Sequence, residues 1–389
     1  MLARWNSFTG GALAALLATS AFAQQDHGGP PPMSEEDQAL SAALQERMGD
    51  TSTLMGSQPM PEDVAQCGES PGIDRLVCLA DLLKADVSDE VMENLQHEYS
   101  VELAQNWSNL PAGAFPKRPG VLLGELTTRQ RGIVKAIMMD ATSDLPNEGW
   151  DEMVQTLNAD DYINTVSTDY KAGYSSYNTK IAFLGTPATT GTWQLYYGGH
   201  HMAFTNTYSD GALVGATPSF RGVEPFPYFE MNGRTNVPLT QERDAFATLL
   251  SSLSDDQKAA ARLDGTYRDI LAGPQADDAI PNEFEGLAVS DLTDDQTALL
   301  VTAIRTYVFD ISEGDATTYM ERYLDELPQT YLSFSGTPQL SAEDDYVRVH
   351  GPSLWIEFSM QSNKSTGKVG NHPHSVWRDL AHDYGGQTE

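Results

Sequence analysis

The spacing of apolar residues changes along this chain, and this change constrains the fold more than any other feature. Between Ser34 and Tyr170, apolar residues recur every three or four positions, as on one face of an α-helix. The predicted helices are Asp37 to Met48, Ile73 to Leu83, Val87 to Leu103, Thr127 to Met139 and Trp150 to Tyr170. Beyond Ala182, short strand-like segments follow.

Tight turns in the second half indicate where strands begin and end. Asp210-Gly211 and Asn232-Gly233 are strong hairpin signals. The predicted strands are His201 to Tyr208, Ala212 to Thr217, Tyr331 to Ser335, Tyr346 to His350, Leu354 to Met360 and His374 to Trp377. We therefore predict an α+β fold, with helices packed on a mostly antiparallel sheet.

Two similar stretches, 126–205 and 292–360, indicate a possible duplication within a single large domain over residues 34–389. Each begins with Leu-Thr-x-x-Gln, in which the hydroxyl and the glutamine can form a capping box at a helix start. Helices, a Gly-Thr-Pro segment and a strand then follow in both stretches. If this prediction is right, the two strand regions lie near one another.

The N-terminus predicts export. Arg4 precedes the apolar run Ala12 to Leu17 and the motif Ala21-Phe22-Ala23, which together are typical of a signal peptide over residues 1–23. Residues 24–33 are then a disordered leader, and the apolar run is too short for a retained membrane span. We expect a periplasmic or secreted protein with no membrane insertion.

The cysteine count and the charge support this compartment and limit the partners. Cys67 and Cys78 are the only two cysteines, and in an oxidising compartment their short spacing favours a disulfide over a redox or thiol-ligand pair. The formal net charge is −32, and it becomes one unit more negative when Arg4 is removed. Such an acidic protein repels phosphate backbones, so nucleic acid is excluded and a small-molecule substrate or a metal ion is expected.

Five of the eight histidines lie in three glycine-containing stretches, at positions 200 and 201, 350, and 372 and 374. Neighbouring strand residues point to opposite faces, so His200 and His201 cannot both reach one site unless a turn or a bulge intervenes. His372 and His374 share a face only if their strand begins before Pro373. We predict a metal site, for zinc or copper, from His200 or His201 together with His374.

Glu357 is the acid predicted to complete this site, because it interrupts the apolar run Leu354 to Phe358. A buried carboxylate needs a cation, a metal or a proton as its partner. The alternative is structural: Glu357 pairs with Arg378 or Arg348, and the histidines are hydrogen-bonded core residues.

Four stretches of the chain together resemble a bacterial family known as a domain of unknown function, number 3500. They are Trp193 to His201, Pro218 to Pro225, Gly351 to Phe358 and His374 to Gly385. The resemblance extends from about Gln38 onward. The resemblance implies that these stretches form one unit. Within the pattern, His350 and His372 fit less well than His200, His201 and His374. The family has no established reaction that the resemblance could transfer to this chain.

Two classes of function follow. The first is an exported metal-dependent enzyme, hydrolase-like, in which Arg221 and Arg378 orient an anionic or carbonyl substrate and Asp379 supports a ligand or acts as a general base. Structural ion pairs are the alternative for these three residues. The second class is a non-catalytic periplasmic metal- or ligand-binding protein with the same pocket. Metal-free hydrolysis by Glu357 and a histidine is a third possibility.

Overall fold

The computed structural model describes residues 33–167, 173–361 and 372–386. The predicted signal peptide, and the leader up to residue 32, lie outside the described residues. The helices are α1 (Glu35–Arg47), α2 (Ile73–Asp86), α3 (Asp89–Leu95), α4 (Val101–Ala104), α5 (Thr128–Ala141), α6 (Gly149–Val166), α7 (Thr240–Ser252), α8 (Asp255–Ala261), α9 (Asp294–Val308) and α10 (Glu313–Glu326). Within the described part of the chain, no helix has both the length and the apolar character needed to cross a membrane.

Most strands occur in two runs along the chain, β3 to β9 and β11 to β14, and collect mainly into one sheet. They are β1 (Gln96–His97), β2 (Val121–Leu122), β3 (Lys180–Leu184), β4 (Thr192–Gly199), β5 (Met202–Ser209), β6 (Ala212–Gly215), β7 (Ser219–Gly222), β8 (Phe229–Met231), β9 (Arg234–Asn236), β10 (Leu287–Ala288), β11 (Tyr331–Ser335), β12 (Tyr346–His350), β13 (Leu354–Gln361) and β14 (His372–Asp379).

Twelve of these strands form a single, mostly antiparallel sheet, which confirms the predicted α+β class. The order is β1-β3-β4-β5-β7-β14-β13-β12-β11-β10, with β2 beside β3 and β6 beside β5. Strands β3 to β7 come from the first half of the sheet-forming chain and β10 to β14 from the second, and the two groups meet where β7 pairs with β14. The strands of both candidate repeat units therefore share one sheet, while the duplication itself stays a prediction.

The two faces of the sheet are covered differently. Side chains such as Ile356 and Trp377 point to the face that packs against the long helices in the main apolar core. We call it the helix-covered face. Phe220, Trp355 and Val376 point to the other face, where irregular segments carrying Trp107, Ile270, Ala272 and Tyr384 cover them. We call it the loop-covered face.

Local sequence signals account for most element boundaries. Thr127 and Thr293 form the expected capping boxes at the starts of α5 and α9. The cysteine prediction is confirmed, since Cys67 and Cys78 form a disulfide with a sulfur–sulfur distance of 1.96 Å. The single helix predicted over Val87 to Leu103 is instead two helices, α3 and α4, because the Gln96–His97 segment between them pairs with β3.

Candidate metal centre

A two-residue turn places one histidine at the edge of the loop-covered face. Gly199 at the end of β4 pairs with Met202 at the start of β5, so His200 and His201 form the turn between these strands. His201 has a positive φ of 59°, and this conformation breaks the strand alternation. The turn is anchored to the next strand, because the Gly222 amide donates a hydrogen bond to the His201 carbonyl at 2.8 Å.

Strand β14 supplies two further histidines. It begins at His372, before Pro373, so His372 and His374 point to the same face. Gly222 lies between His374 and His201, and a Cβ atom at this position would lie 2.9 Å from the Cδ2 atom of each imidazole. Glycine thus lets the two rings approach each other across β7.

The three imidazoles converge on one point. The Nε2 atom of His372 lies 2.8 Å from that of His201 and 3.1 Å from that of His374. All three residues are buried, with exposed fractions of 2%, 7% and 3% for His201, His372 and His374. A single Nε2 atom offers either one proton or one lone pair in the ring plane, so His372 cannot form well-aligned hydrogen bonds with both neighbours. We call these three residues the histidine cluster.

The spacing is also compatible with a shared metal ion. With metal–nitrogen bonds of about 2.0–2.1 Å, two ligand nitrogens lie about 2.9 Å apart at a right angle and about 3.4 Å apart at the tetrahedral angle. The observed 2.8 and 3.1 Å correspond to angles close to a right angle between His372 and each neighbour, so the three nitrogens would be able to hold one ion.

Outer contacts set the direction of these ligands. Two side chains contact Nδ1 of His374: Asp269 Oδ1 lies 2.9 Å away and the Gln361 side-chain amide 2.6 Å away. A proton on Nδ1, donated to Asp269, would leave the lone pair of His374 on Nε2. Asp269 is partly exposed, with 33% of its side chain accessible. Burial and the neighbouring histidines lower the pKa of His201 well below its usual value, so its imidazole is neutral near pH 7.

His200 lies beside the histidine cluster and has a different environment. Its Nδ1 is 2.6 Å from Asp160 Oδ1, and its ring stacks on His201 with centroids 3.6 Å apart and planes 28° apart. Asp160, His200 and His201 also have ligand atoms within 4.8 Å of one another. The lone pairs of stacked rings run side by side and do not converge, so this second group is the weaker ligand set.

Glu357 shares the loop-covered face but its carboxylate is fully engaged elsewhere. Its two oxygens accept hydrogen bonds from four neutral donors: the amides of Leu271 and Ala272, the Tyr346 hydroxyl and the Trp355 indole. Burial raises the pKa of Glu357, and these hydrogen bonds oppose the increase. The partners of this acid are thus neither the arginines considered from the sequence nor the histidines.

The other predicted site residues occupy two further regions. Arg378 binds Asp277 and Asp383 at 2.6 and 2.7 Å, and Asp379 accepts hydrogen bonds from Arg322 and Tyr323, all at the end of β14 remote from His372. Arg221 lies on the helix-covered face instead. The structure brings together His201 and His374 from the predicted set and adds His372 and Asp269.

Arg221 lies in a buried group with three acids, Glu152, Glu242 and Asp310. We call these four residues the carboxylate cluster. The Arg221 guanidinium lies 3.2 Å from Asp310 and 3.6 Å from Glu152. The residues line a cavity of about 10 Å³, close to the lower limit for one water molecule. Burial, together with the charge of Asp310, raises the pKa of Glu152 to about 8, and burial raises the pKa of Glu242 well above its usual value.

Comparisons with known proteins place the chain in a family. No curated protein and no solved structure matches it. A family model described as "Protein of unknown function (DUF3500)" matches residues 69–386, a range that contains all three members of the histidine cluster. The resemblance seen in the four sequence stretches is thereby confirmed. The chain belongs to this family, whose description names no activity.

Proposed function

We propose that His201, His372 and His374 bind one transition-metal ion, such as zinc or copper, and that the protein is an exported metal-dependent enzyme of hydrolase type. The observation that carries this proposal is the convergence of three buried Nε2 atoms at 2.8 and 3.1 Å. Imidazole nitrogens in this number and arrangement are typical ligands of zinc and copper.

The hydrolase assignment rests on the number of protein ligands. Catalytic zinc sites have three protein ligands and keep a further position for water, whose pKa the ion lowers to about 7. A hydroxide nucleophile becomes available near neutral pH in such a site. This proposal leaves out the roles first predicted for four other residues, because each of their side chains is bound by a different protein group. These residues are Glu357, Arg221, Arg378 and Asp379.

Export is proposed on the sequence of the first 23 residues and is supported by the Cys67–Cys78 disulfide. Disulfides persist in oxidising compartments and are rare in the cytosol. A small-molecule substrate fits the acidic composition, since the net charge of −32 disfavours polyanions.

A non-catalytic metal-binding protein is the second candidate, and the burial of all three histidines favours it. At most 7% of any of these residues is exposed, which suits retention of an ion as well as catalysis. The two candidates differ in whether a small external ligand reaches the ion. Azide added to the cobalt-substituted protein changes the visible spectrum if a coordination position is open and leaves it unchanged if the site is closed.

Elemental analysis of protein purified from the periplasm without a His-tag tests the metal site. We expect about one ion per chain in the wild type, and loss of it in His374→Ala and in His372→Ala, because each removes one of three ligands. His382→Ala is the control, since this imidazole contacts Asp379, far along β14 from the cluster. Absence of stoichiometric metal, with no binding of added zinc or copper, would contradict the proposal.

A further inference from the structure

We propose that Glu224 is the general base of this centre, with its carboxylate beside the ion that His201, His372 and His374 would hold. This inference rests on the metal site proposed above and gives it a general base, the role that the sequence assigned to Asp379. Three observations support it: the position of Glu224 just after β7, its burial, and the lack of a hydrogen-bond partner for its carboxylate.

The strand register brings Glu224 to the histidine cluster. In the β7–β14 pair, Gly222 lies opposite His374, and the next amide, of Val223, donates to the Pro373 carbonyl at 3.2 Å. Glu224 lies two residues after the end of β7, and the same pairing continued to it would bring it opposite His372. Val223 packs in the apolar core of the helix-covered face, so we infer that Glu224, the next residue, points to the opposite face, as Gly222 does beside the imidazoles.

The carboxylate of Glu224 is buried and unsatisfied. The residue is 0% exposed, and neither carboxylate oxygen has a hydrogen-bond partner among the residues that the structure describes. Glu357 is also 0% exposed, yet it accepts hydrogen bonds from four donors. An ionised carboxylate without a partner is strongly unfavourable in a protein interior, and a metal cation nearby offsets this cost.

We assign Glu224 a role beside the ion and not as a ligand, because it is outside the group of residues whose ligand atoms converge. Among the described residues, the ligand atoms of His201, His372 and His374 lie within 4.8 Å of one another, and Glu224 is outside this set. A carboxylate that lies near the ion without binding it suits proton transfer. The Glu224 carboxylate would accept a proton from a water molecule, and the ion held by the three histidines would supply the Lewis acidity that makes this water acidic.

Azide binding to the cobalt-loaded protein tests this placement without knowledge of the substrate. Glu224→Gln keeps the shape of the side chain and removes the negative charge that repels an anion at the open position. We expect azide to bind at least about 10-fold more tightly to this variant than to the wild type, and cobalt affinity to change by less than about 3-fold.

Glu357→Gln is the matched control, because it alters an equally buried glutamate that already has its hydrogen bonds. Azide affinity should be unchanged in this variant. Thermal unfolding of the metal-free proteins gives a second measurement: Glu224→Gln should unfold a few degrees higher than the wild type, since it removes a buried charge without a partner. Glu357→Gln should unfold at a lower temperature than the wild type.

Three results would overturn the inference. The first is an azide affinity of Glu224→Gln equal to that of the wild type. The second is a cobalt affinity of this variant lowered by more than about 10-fold, which would make Glu224 a ligand. The third is an unfolding temperature of the metal-free variant below that of the wild type. If the wild type binds no cobalt, the proposed function fails as well. If the wild type binds cobalt but Glu224→Gln binds azide no more tightly than the wild type does, only the role of Glu224 is overturned.

Discussion

Two buried polar clusters lie on opposite faces of the same central strands. The histidine cluster occupies the loop-covered face at β7 and β14, and the carboxylate cluster lies on the helix-covered face, where Arg221 and Ser375 line its cavity. The two are adjacent in sequence: Arg221 precedes Gly222, and Ser375 follows His374. Strand alternation alone separates them.

The clusters differ in how their charges and lone pairs are satisfied. The carboxylate cluster contains its own cation, Arg221, and the raised pKa values of Glu152 and Glu242 indicate that protons neutralise part of the remaining charge. The histidine cluster directs three nitrogens at one another, and no proton arrangement satisfies all three. One cluster carries its own cation, and the other is, in our proposal, completed by a bound ion.

Removal of Arg221 should have the largest effect on stability. Arg221→Met leaves Asp310 and Glu152 without their cation, and we expect the free energy of unfolding at pH 8 to fall by about 3 kcal/mol. Arg243→Met is the control, because Arg243 pairs with a largely exposed Asp244 and should cost less than about 1 kcal/mol. Denaturant unfolding measures both. Metal content should persist in Arg221→Met, and its loss would show that the two clusters are not independent.

A smaller effect is expected from Gly222→Ala, which acts only on the histidine cluster. The added methyl group would lie 2.9 Å from Cδ2 of His201 and of His374, so the two rings must move apart. We expect metal affinity to fall by about 10- to 100-fold, as for other changes that misdirect ligands. Gly314→Ala, whose Cβ would meet no atom within 4 Å, should bind metal like the wild type. Equal affinity in both variants would contradict the proposed ligand set.

The smallest effect concerns the proton content of the carboxylate cluster. A carboxylate whose pKa is raised by folding stabilises the protein below its unfolded pKa, and this contribution is lost as the pH rises towards the folded pKa. Glu242→Gln mimics the protonated form, so in metal-free protein it should equal the wild type near pH 5 and exceed it by about 1 kcal/mol at pH 8.

Denaturant unfolding across this pH range, with the exposed Glu283→Gln as control, measures the difference. A Glu242→Gln variant that is less stable than the wild type at pH 8 would show that the ionised carboxylate has a favourable partner, such as a bound cation. The carboxylate cluster would then also be incomplete without an ion.

The sequence predicted elements that depend on local signals. The bounds of β11 and β12 match the predicted segments Tyr331 to Ser335 and Tyr346 to His350, because strict alternation and flanking turns define them. Capping boxes likewise located α5 and α9. The helix predicted over Val87 to Leu103 was wrong because pairing with β3, which lies far along the chain, replaces helix at Gln96 and His97.

The site was harder to predict because it depends on the order of strands in the sheet. That His374 and His201 approach each other follows from β14 pairing with β7, and no local pattern encodes this pairing. His372 could have been included, since the condition that its strand begin before Pro373 was recognised. Asp269 has no such signal, because it lies in an irregular segment and reaches His374 only through the tertiary fold.

The pairing of β7 with β14 would also give the proposed metal ion a part in holding the fold together. His201 and His372 are 171 residues apart in sequence and belong to the two groups of strands that meet at this pair. An ion bound to both would link the two groups of strands and close a very long loop of chain. Its ligands would come together only after β7 and β14 have paired, so correctly folded protein would retain the ion and chains in which this pairing is broken would lose it.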